Sequence, residues 1–128
     1  MDLYVLDVDN GSEFALFTTA VTESTPAWSP DGRWIAYELD LDGEEEFYAI
    51  SAMPAPDPSG SLTEASPEQI TDWGAVRWRP AWSPDSHWIA FTSDASGDEE
   101  IWITDMEGRE FRQLTFDGGA ANAAWSRP

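Results

Sequence analysis

Hydrophobic and polar positions alternate along short stretches of this chain, and turn-forming residues separate the stretches. In "EIWITD", which begins at Glu100, Ile101 and Ile103 fall on one face of a strand, and Trp102 and Thr104 fall on the other. The intervening "SPDS", "DASGDE" and "MEGRE" are rich in residues that favour tight turns. No segment shows helical periodicity. The pattern predicts an all-β fold of antiparallel strands. In the second half of the chain, the predicted strands begin at Pro80, His87, Glu100 and Phe111.

The same arrangement occurs twice and begins a third time. "PAWSPDGRWIAYELDLDG" starts at Pro26, "PAWSPDSHWIAFTSDASG" starts at Pro80, and "AAWSRP" starts at Ala123. The tryptophans of these copies are spaced 54 and 43 residues apart. The shorter spacing is close to the roughly 40–45 residues of one four-stranded propeller blade. In the earlier copy, the matching strands are predicted at 27–28, 34–39, 46–50 and 68–71.

The register of the repeat divides the chain into blades. "LYVLDVDNGSEFALFT" from Leu3 matches "IWITDMEGREFRQLTF" from Ile101, so the chain is predicted to open at the third strand of a blade. Residues 1–20 are therefore the C-terminal half of a blade, and 21–72 are a full blade with a long Pro- and Ser-rich loop at 51–68. Residues 73–117 form another full blade, and 118–128 supply the first strand of the next, giving about eleven strands.

These motifs resemble the repeat of TolB-type β-propellers, and similar repeats build tricorn and prolyl-oligopeptidase-type propellers. The resemblance rests on "PAWSPDG", "IAY" or "IAF", "SDASGDEEIWITD" and "RQLTFDG". It implies antiparallel four-stranded blades making about half of a six-bladed ring. It also implies a periplasmic or extracellular location, although "MDLYVLDVDN" contains no signal-peptide core. The structural repeat positions are Trp28, Pro30, Asp31, Gly32, Trp82, Pro84, Asp85 and Trp125.

Composition restricts the partners. The chain has 25 acidic residues against six arginines and no lysine, for a net charge of −19, which excludes nucleic acid as a partner. Its apolar runs are far shorter than the roughly 20 residues of a membrane span, so no membrane insertion is predicted. Cysteine is absent, which excludes disulfides. The acidic excess has two interpretations: a solvated surface that keeps the protein soluble, or adaptation to high salt as in a halophile.

Acidic turns are the candidate metal sites. "DLDGEEE" and "DASGDEE" occupy the same place in successive copies, and clustered carboxylates suit Ca²⁺. Acidic residues beside a glycine also make ordinary hairpin turns, and this interpretation is favoured. We therefore predict no obligatory metal or other cofactor. The Ca²⁺ alternative rests on Asp40, Asp42, Asp94 and Asp98.

Catalysis has little support in the sequence. His87 is the only histidine, and it stands where the earlier copy has Arg33, which favours a surface role. No G-x-S-x-G motif is present, and one histidine without cysteine argues against zinc. No catalytic residue and no enzymatic activity are predicted.

Two functions remain. The favoured one is a non-catalytic interaction or scaffold module that binds a protein or peptide partner. The alternative is an accessory, substrate-gating propeller segment of a larger serine peptidase or hydrolase. Because too few blades are present to close a ring, terminal blade faces lined with Trp and Ile would be exposed. We expect self-association, with a closed dimer favoured, in which residues 122–126 of one copy join the blade begun by 3–7 of the other. The alternative is that the chain is a piece of a longer propeller protein.

Overall fold

Strands account for all the regular secondary structure in the described part of the chain. The computed structural model describes residues 3–16, 22–40, 48–54, 68–71 and 76–127. All strand pairs in these ranges are antiparallel. This arrangement confirms the all-β prediction. The strands are β1 (Tyr4–Leu6), β2 (Glu13–Ala15), β3 (Glu23–Trp28), β4 (Trp34–Asp40), β5 (Tyr48–Pro54), β6 (Glu68–Gln69), β7 (Val76–Trp82), β8 (Trp88–Ser93), β9 (Glu100–Asp105) and β10 (Phe111–Gln113).

The strands form two blades and a separate hairpin. The first blade has the order β3-β4-β5-β6, and the second has the order β7-β8-β9-β10. Among the described residues, strand pairing joins the two blades at a single residue pair, Tyr48 with Val76. The leading hairpin, β1 and β2, pairs only with itself among the described residues. Since the backbone connection between the blades is so slight, side-chain packing holds them together.

Strand β4 of the first blade packs on both of its faces. Ile35 and Tyr37 are buried against Leu3 and Leu16 of the leading hairpin. Ala36 points the opposite way, as alternation along a strand requires, into a cluster shared with the second blade. The other buried members of that cluster are Ile70, Trp82, Ile89 and Phe91. The first blade therefore lies between the leading hairpin and the second blade.

The third strand of the first blade differs from its predicted bounds. It was predicted at 46–50, whereas β5 runs over Tyr48–Pro54. The first four residues of the predicted 51–68 loop thus belong to a strand, because β5 stays in register with β4 as far as the pair Trp34–Pro54. Residues 55–67 of that predicted loop lie outside the described residues.

The predicted first strand at 118–128 also differs from the structure. Residues 118–127 contain no strand, because no described strand pairs with them. The stretch instead hydrogen-bonds to the second blade. The N–H of Ala120 donates to the Glu99 carbonyl at 3.0 Å, and the N–H of Asn122 donates to Thr92 Oγ1 at 3.3 Å. We call residues 114–127 the closing segment.

In the first and third copies of the repeat, the residue three positions before the tryptophan has a left-handed backbone conformation. In β3 the register shifts between Ser24 and Ala27, and Thr25 has a φ of 49°. Asn122 holds the equivalent position before Trp125 and has a φ of 59°. A β-branched residue such as threonine is strained in this left-handed region, whereas asparagine tolerates it.

No helix long and apolar enough to cross a membrane occurs among the residues that the structure describes.

Candidate functional site

The two "SPD" turns have nearly identical hydrogen bonding. In the first, the Ser29 hydroxyl donates to Asp31 Oδ1 at 2.5 Å, and the N–H of Trp34 donates to Ser29 Oγ at 3.0 Å. In the second, the corresponding distances for Ser83, Asp85 and Trp88 are 2.5 and 3.0 Å. Each serine and aspartate is thus occupied in closing its own turn.

The aspartates of these turns are held in their charged form. The Ser29 hydroxyl, followed by the N–H of Arg33, holds the pKa of Asp31 below its ordinary value. The Ser83 hydroxyl and the N–H of His87 lower the pKa of Asp85 in the same way. Both carboxylates are solvent-exposed, so this edge of the blades presents negative charge.

The turns of the two blades also contact each other. Gly32 has a φ of 71°, and its counterpart Ser86 has a φ of 61°. The Ser86 hydroxyl accepts a hydrogen bond of 3.1 Å from the N–H of Asp31 in the first blade. Serine therefore gains an inter-blade contact at a position where the backbone favours glycine.

A tryptophan-to-carbonyl hydrogen bond recurs between successive copies of the repeat. Nε1 of Trp82 donates to the Ala27 carbonyl at 2.9 Å, and Nε1 of Trp125 donates to the Ala81 carbonyl at 2.8 Å. In both cases the acceptor is the alanine immediately before the tryptophan of the preceding copy. Trp28 makes no such bond among the described residues. It is 50% exposed, whereas Trp82 is 8% exposed.

Several exposed large hydrophobic residues lie at the two ends of this arrangement. Tyr4 and Leu6 are 58% and 59% exposed, and alternation along β1 directs them away from the first blade. Trp28 of β3 is also exposed, and we use the name opening face for these three exposed residues of the leading hairpin and β3. The closing face, at the other end, consists of Ala81, Ala124 and Trp125. These two faces form the candidate interaction surface.

A groove adjoins the closing face. Its volume is about 600 Å³, and it lies between the second and third copies of the "AW" segment, beside the proline of the first "SPD" turn. Its lining is mainly apolar and consists of Pro30, Ala81, Trp82, Pro84, Ala123, Ala124, Trp125 and Arg127. The closing face is therefore concave and apolar, a shape suited to receiving a projecting hydrophobic side chain.

The candidate Ca²⁺ ligands are placed differently from one another. Asp40 is buried at the end of β4, and Asp98 is exposed. Asp94 follows β8, where its carbonyl accepts the N–H of Gly97 at 2.9 Å in a tight turn. Asp42 lies outside the described residues. Across the described ranges, no three His, Asp or Glu side chains are grouped so that they could hold a metal ion.

His87 is exposed and contacts its own turn. Its Nδ1 lies 2.8 Å from the Asp85 carbonyl oxygen and 3.7 Å from Asp85 Oδ1. These contacts are local to the turn, and the equivalent position in the first blade is Arg33. The geometry matches the surface role inferred from the repeat.

Glu100 is an anchoring residue that the sequence pattern did not identify. It is 2% exposed, its Oε1 accepts the N–H of Gly118 at 2.6 Å, and its Oε2 accepts the Thr115 hydroxyl. The N–H of Ile101 donates to the same Thr115 hydroxyl at 2.9 Å. Glu100 thereby fixes the start of the closing segment. Within the acidic run "DEE", no sequence signal distinguishes it from its neighbours.

The four-stranded antiparallel units, packed face to face with a repeated tryptophan contact, define a segment of a β-propeller. The profile of the TolB beta propeller domain matches residues 2–128, and the chain belongs to this family. Both the fold class and the family expected from the repeat are thus confirmed.

Known relatives and structures agree with this assignment. The chain is 26% identical over 118 residues to the Tol-Pal system protein TolB of Desulfosudis oleivorans, covering 92% of this chain and 24% of that protein. It is 29% identical over 120 residues to the uncharacterized peptidase YuxL of Bacillus subtilis, covering 85% of this chain and 16% of YuxL. The crystal structure of TolB from Acinetobacter baumannii superposes with a TM-score of 0.70 at 26% identity, over 93% of this chain and 27% of that one. The chain therefore spans about a quarter of the length of the TolB proteins that it matches.

Proposed function

We propose that this chain is a non-catalytic β-propeller module that binds protein or peptide partners through its two end faces, and that it self-assembles into a closed ring, with a dimer favoured. The observation that carries the proposal is the contrast between two equivalent tryptophans. Trp82, between the blades, is 8% exposed, whereas Trp28, on the opening face, is 50% exposed. Trp82 lies between two other copies of the segment and is buried, whereas Trp28 and Trp125, in the first and third copies, are exposed.

The energetic argument concerns the apolar side chains of the end faces. Burying one large apolar side chain contributes roughly 1.5–3 kcal/mol. Tyr4, Leu6, Trp28 and Trp125 are all at least one-third exposed, so covering them supplies a substantial driving force. A propeller face that meets another blade buries such residues and protects the strand edges beside them.

The charge restricts the partner. With a net charge of −19, the module repels nucleic acid and anionic surfaces and favours a partner that is apolar or basic at its contact. Two copies of this chain also repel each other, so self-assembly should strengthen as added salt screens the charges.

Sedimentation velocity of the purified chain tests the proposal. We expect a monomer–dimer equilibrium at micromolar concentration that shifts toward dimer between low and high salt. A monodisperse, folded monomer across both conditions contradicts the self-assembly. Turnover in a peptidase, esterase or glycosidase screen that is abolished by one Asp or Glu substitution contradicts the non-catalytic role.

The similarity to YuxL favours a second candidate, a substrate-gating propeller segment of a larger peptidase. The test is to isolate the protein from its native source, measure its mass and treat it with an active-site-directed fluorophosphonate. A larger, labelled polypeptide supports the peptidase segment, whereas an unlabelled one supports the interaction module. Fractionation of the same cells tests the periplasmic or extracellular location that the likeness to TolB supports.

A further inference from the structure

The turn of the leading hairpin contains an asparagine followed by a glycine, Asn10 and Gly11. In deamidation, the backbone nitrogen of the following residue attacks the side-chain carbonyl carbon of asparagine. Glycine has no side chain to shield that nitrogen, so this dipeptide is the most reactive context. Both residues are exposed, so water reaches them. The other asparagine, Asn122, precedes Ala123, whose Cβ hinders the attack.

The folded turn engages all three groups that take part in this reaction. The N–H of Gly11, the nucleophile, donates to the Asp7 carbonyl at 2.8 Å. The side-chain nitrogen of Asn10, which has to leave, donates to Asp7 Oδ2 at 2.7 Å. The side-chain oxygen of Asn10 accepts the N–H of Ser12 at 2.8 Å. The reaction therefore requires the turn to open first.

We infer that Asn10 is a deamidation site of this chain, and that Asp7 is the positioning residue that sets its rate by holding the turn closed. Asp7 makes two further contacts there: its Oδ1 accepts the N–H of Asp9 at 2.9 Å, and its own N–H donates to the Ser12 carbonyl at 2.8 Å. All of these contacts lie within residues 7–12. They depend neither on a neighbouring blade nor on a second copy, and the inference is independent of the proposed function.

The chemistry needs water and no other reactant. The Gly11 nitrogen forms a bond to Cγ of Asn10 and loses its proton, the bond from Cγ to the amide nitrogen breaks, and that nitrogen leaves as ammonia. The product is a five-membered succinimide. Water then breaks one of the two bonds between the ring nitrogen and its carbonyl carbons. Breaking the bond to Cγ gives aspartate, and breaking the bond to the main-chain carbonyl carbon gives isoaspartate.

Either product weakens the leading hairpin. Both lose the amide that donates to Asp7, and both place a new carboxylate beside Asp7 and Asp9, where like charges repel. Isoaspartate also lengthens the main chain of the turn by one methylene. Strands β1 and β2 pair over three residue pairs, and Leu3 and Leu16 of this hairpin cover one face of β4. Deamidation should therefore loosen the cover of β4.

The second blade supplies an internal comparison. Asp105 opens the equivalent turn, where its carbonyl accepts the N–H of Gly108 at 3.2 Å and its Oδ1 accepts the N–H of Arg109 at 2.7 Å. Glu107 precedes the glycine in this turn, so there is no amide to lose. Asp105→Ala is thus a matched control, because it weakens the same kind of turn without touching Asn10.

Peptide mapping by mass spectrometry tests the inference on the full chain, incubated folded at neutral pH and physiological temperature. Trypsin places Asn10 and Asn122 in separate peptides, and labelling by isoaspartyl methyltransferase counts isoaspartate. We expect Asn10 to convert well before Asn122. Asp7→Ala removes two exposed side-chain hydrogen bonds, so conversion of Asn10 should accelerate by about two- to fivefold.

Three controls separate the role of Asp7 from general loosening. Asp7→Asn keeps an acceptor oxygen and should give an intermediate rate. Asp105→Ala should lower the melting temperature and leave the rate at Asn10 unchanged. In urea, where no turn exists, the wild-type chain and Asp7→Ala should convert equally fast. On storage, the melting temperature of the wild-type chain should fall, whereas that of Asn10→Gln should hold, because the longer side chain closes a ring far more slowly.

Each part of the inference has its own contrary result. If Asn122 converts as fast as Asn10 in the folded chain, or if Asn10 stays intact there while the chain in urea converts, Asn10 is not a deamidation site of the folded protein. If Asp7→Ala converts no faster than wild type, or if Asp105→Ala accelerates conversion equally, Asp7 does not set the rate. Equal loss of stability on storage by the wild-type chain and Asn10→Gln would overturn the predicted effect on the hairpin.

Discussion

Ser86 occupies a left-handed backbone position and also makes a contact between blades, so its substitution separates two opposing effects. Its φ of 61° matches the 71° of Gly32 in the equivalent turn. Its hydroxyl accepts the N–H of Asp31 from the first blade at 3.1 Å. Three variants, Ser86→Ala, Ser86→Gly and Gly32→Ala, distinguish the backbone effect from the hydrogen bond.

The magnitudes follow from these two effects. The left-handed conformation costs a residue with a Cβ roughly 1–2 kcal/mol, and the greater freedom of glycine in the unfolded chain offsets roughly 0.4–1 kcal/mol of this. Glycine is thus favoured by about 0.5–1 kcal/mol at either position. The Asp31–Ser86 bond is exposed, so its net contribution is at the lower end of the usual range, about 0.5 kcal/mol.

We therefore expect a definite order of stability. Ser86→Ala loses the bond and keeps the strain, so it should destabilise the chain by about 0.5 kcal/mol. Ser86→Gly loses the bond but relieves the strain, and should lie between neutral and about 0.5 kcal/mol more stable than wild type. Gly32→Ala should cost about 0.5–1 kcal/mol, because a Cβ there meets nothing within 4 Å and only the backbone effect remains.

Urea denaturation followed by tryptophan fluorescence measures all three changes in the free energy of unfolding. For a domain of this size, 1 kcal/mol also corresponds to a shift of about 3–5 °C in melting temperature. If Ser86→Gly proves less stable than Ser86→Ala, or if Gly32→Ala is neutral, the left-handed strain does not control these turns and the reasoning is refuted.

Three further predictions concern buried charge, surface charge and strain. Burial raises the pKa of the Glu38 carboxyl above its ordinary 4.5. The folded state therefore favours the protonated carboxyl, and the stability that this provides is present below pH 4.5 and is lost as the pH rises through the folded-state pKa. Glu38→Gln should therefore raise the melting temperature at neutral pH and lose that advantage near pH 4, and an equal gain at both pH values would contradict this. The stability of the wild-type chain should rise from low to molar salt, because salt screens the repulsion of a net charge of −19. A melting temperature that stays constant across this range, with and without Ca²⁺, would oppose both interpretations of the acidic excess. A rise with millimolar Ca²⁺ alone, reversed by Asp94→Asn, would instead identify a specific site. Thr25→Asn should stabilise the chain by about 0.5–1 kcal/mol, since Asn122 already occupies the equivalent left-handed position, and a loss of stability in chemical denaturation would disprove the assigned strain.

The blade architecture was predictable because each of its determinants is local and repeated. Turn residues such as Pro84 and Asp85 mark strand ends directly, and the alternation in "EIWITD" assigns strand faces. In the structure Ile103 is buried and Trp102 packs between the blades. Strand length was less predictable, because the partner strand determines it. Composition makes 51–68 resemble a loop, yet pairing with β4 extends β5 to Pro54.

The end faces were predictable in outline, but their contacts were not. Eight tryptophans indicate a packed aromatic core. Exposed Trp and Ile were predicted for the end faces, and Trp28 and Trp125 are exposed, but no isoleucine is among the exposed large hydrophobic residues of the described ranges. The sequence does not specify which carbonyl an indole N–H will reach, so the bond from Trp82 to Ala27 required the structure. The left-handed conformation of Thr25 was equally hidden, because a one-residue irregularity leaves the hydrophobic pattern of a strand unchanged.

The sandwiched position of β4 has a consequence for amide hydrogen exchange. Its two faces are covered by separate neighbours, and within the described ranges the blades share one backbone pairing, that of Tyr48 with Val76. In such nearest-neighbour assemblies each unit opens almost independently, and the terminal units open first. Exchange should therefore be fastest in the leading hairpin and the closing segment, slower in the second blade and slowest in β4. Occupation of the end faces by a partner would slow exchange most in the regions that are otherwise first to open.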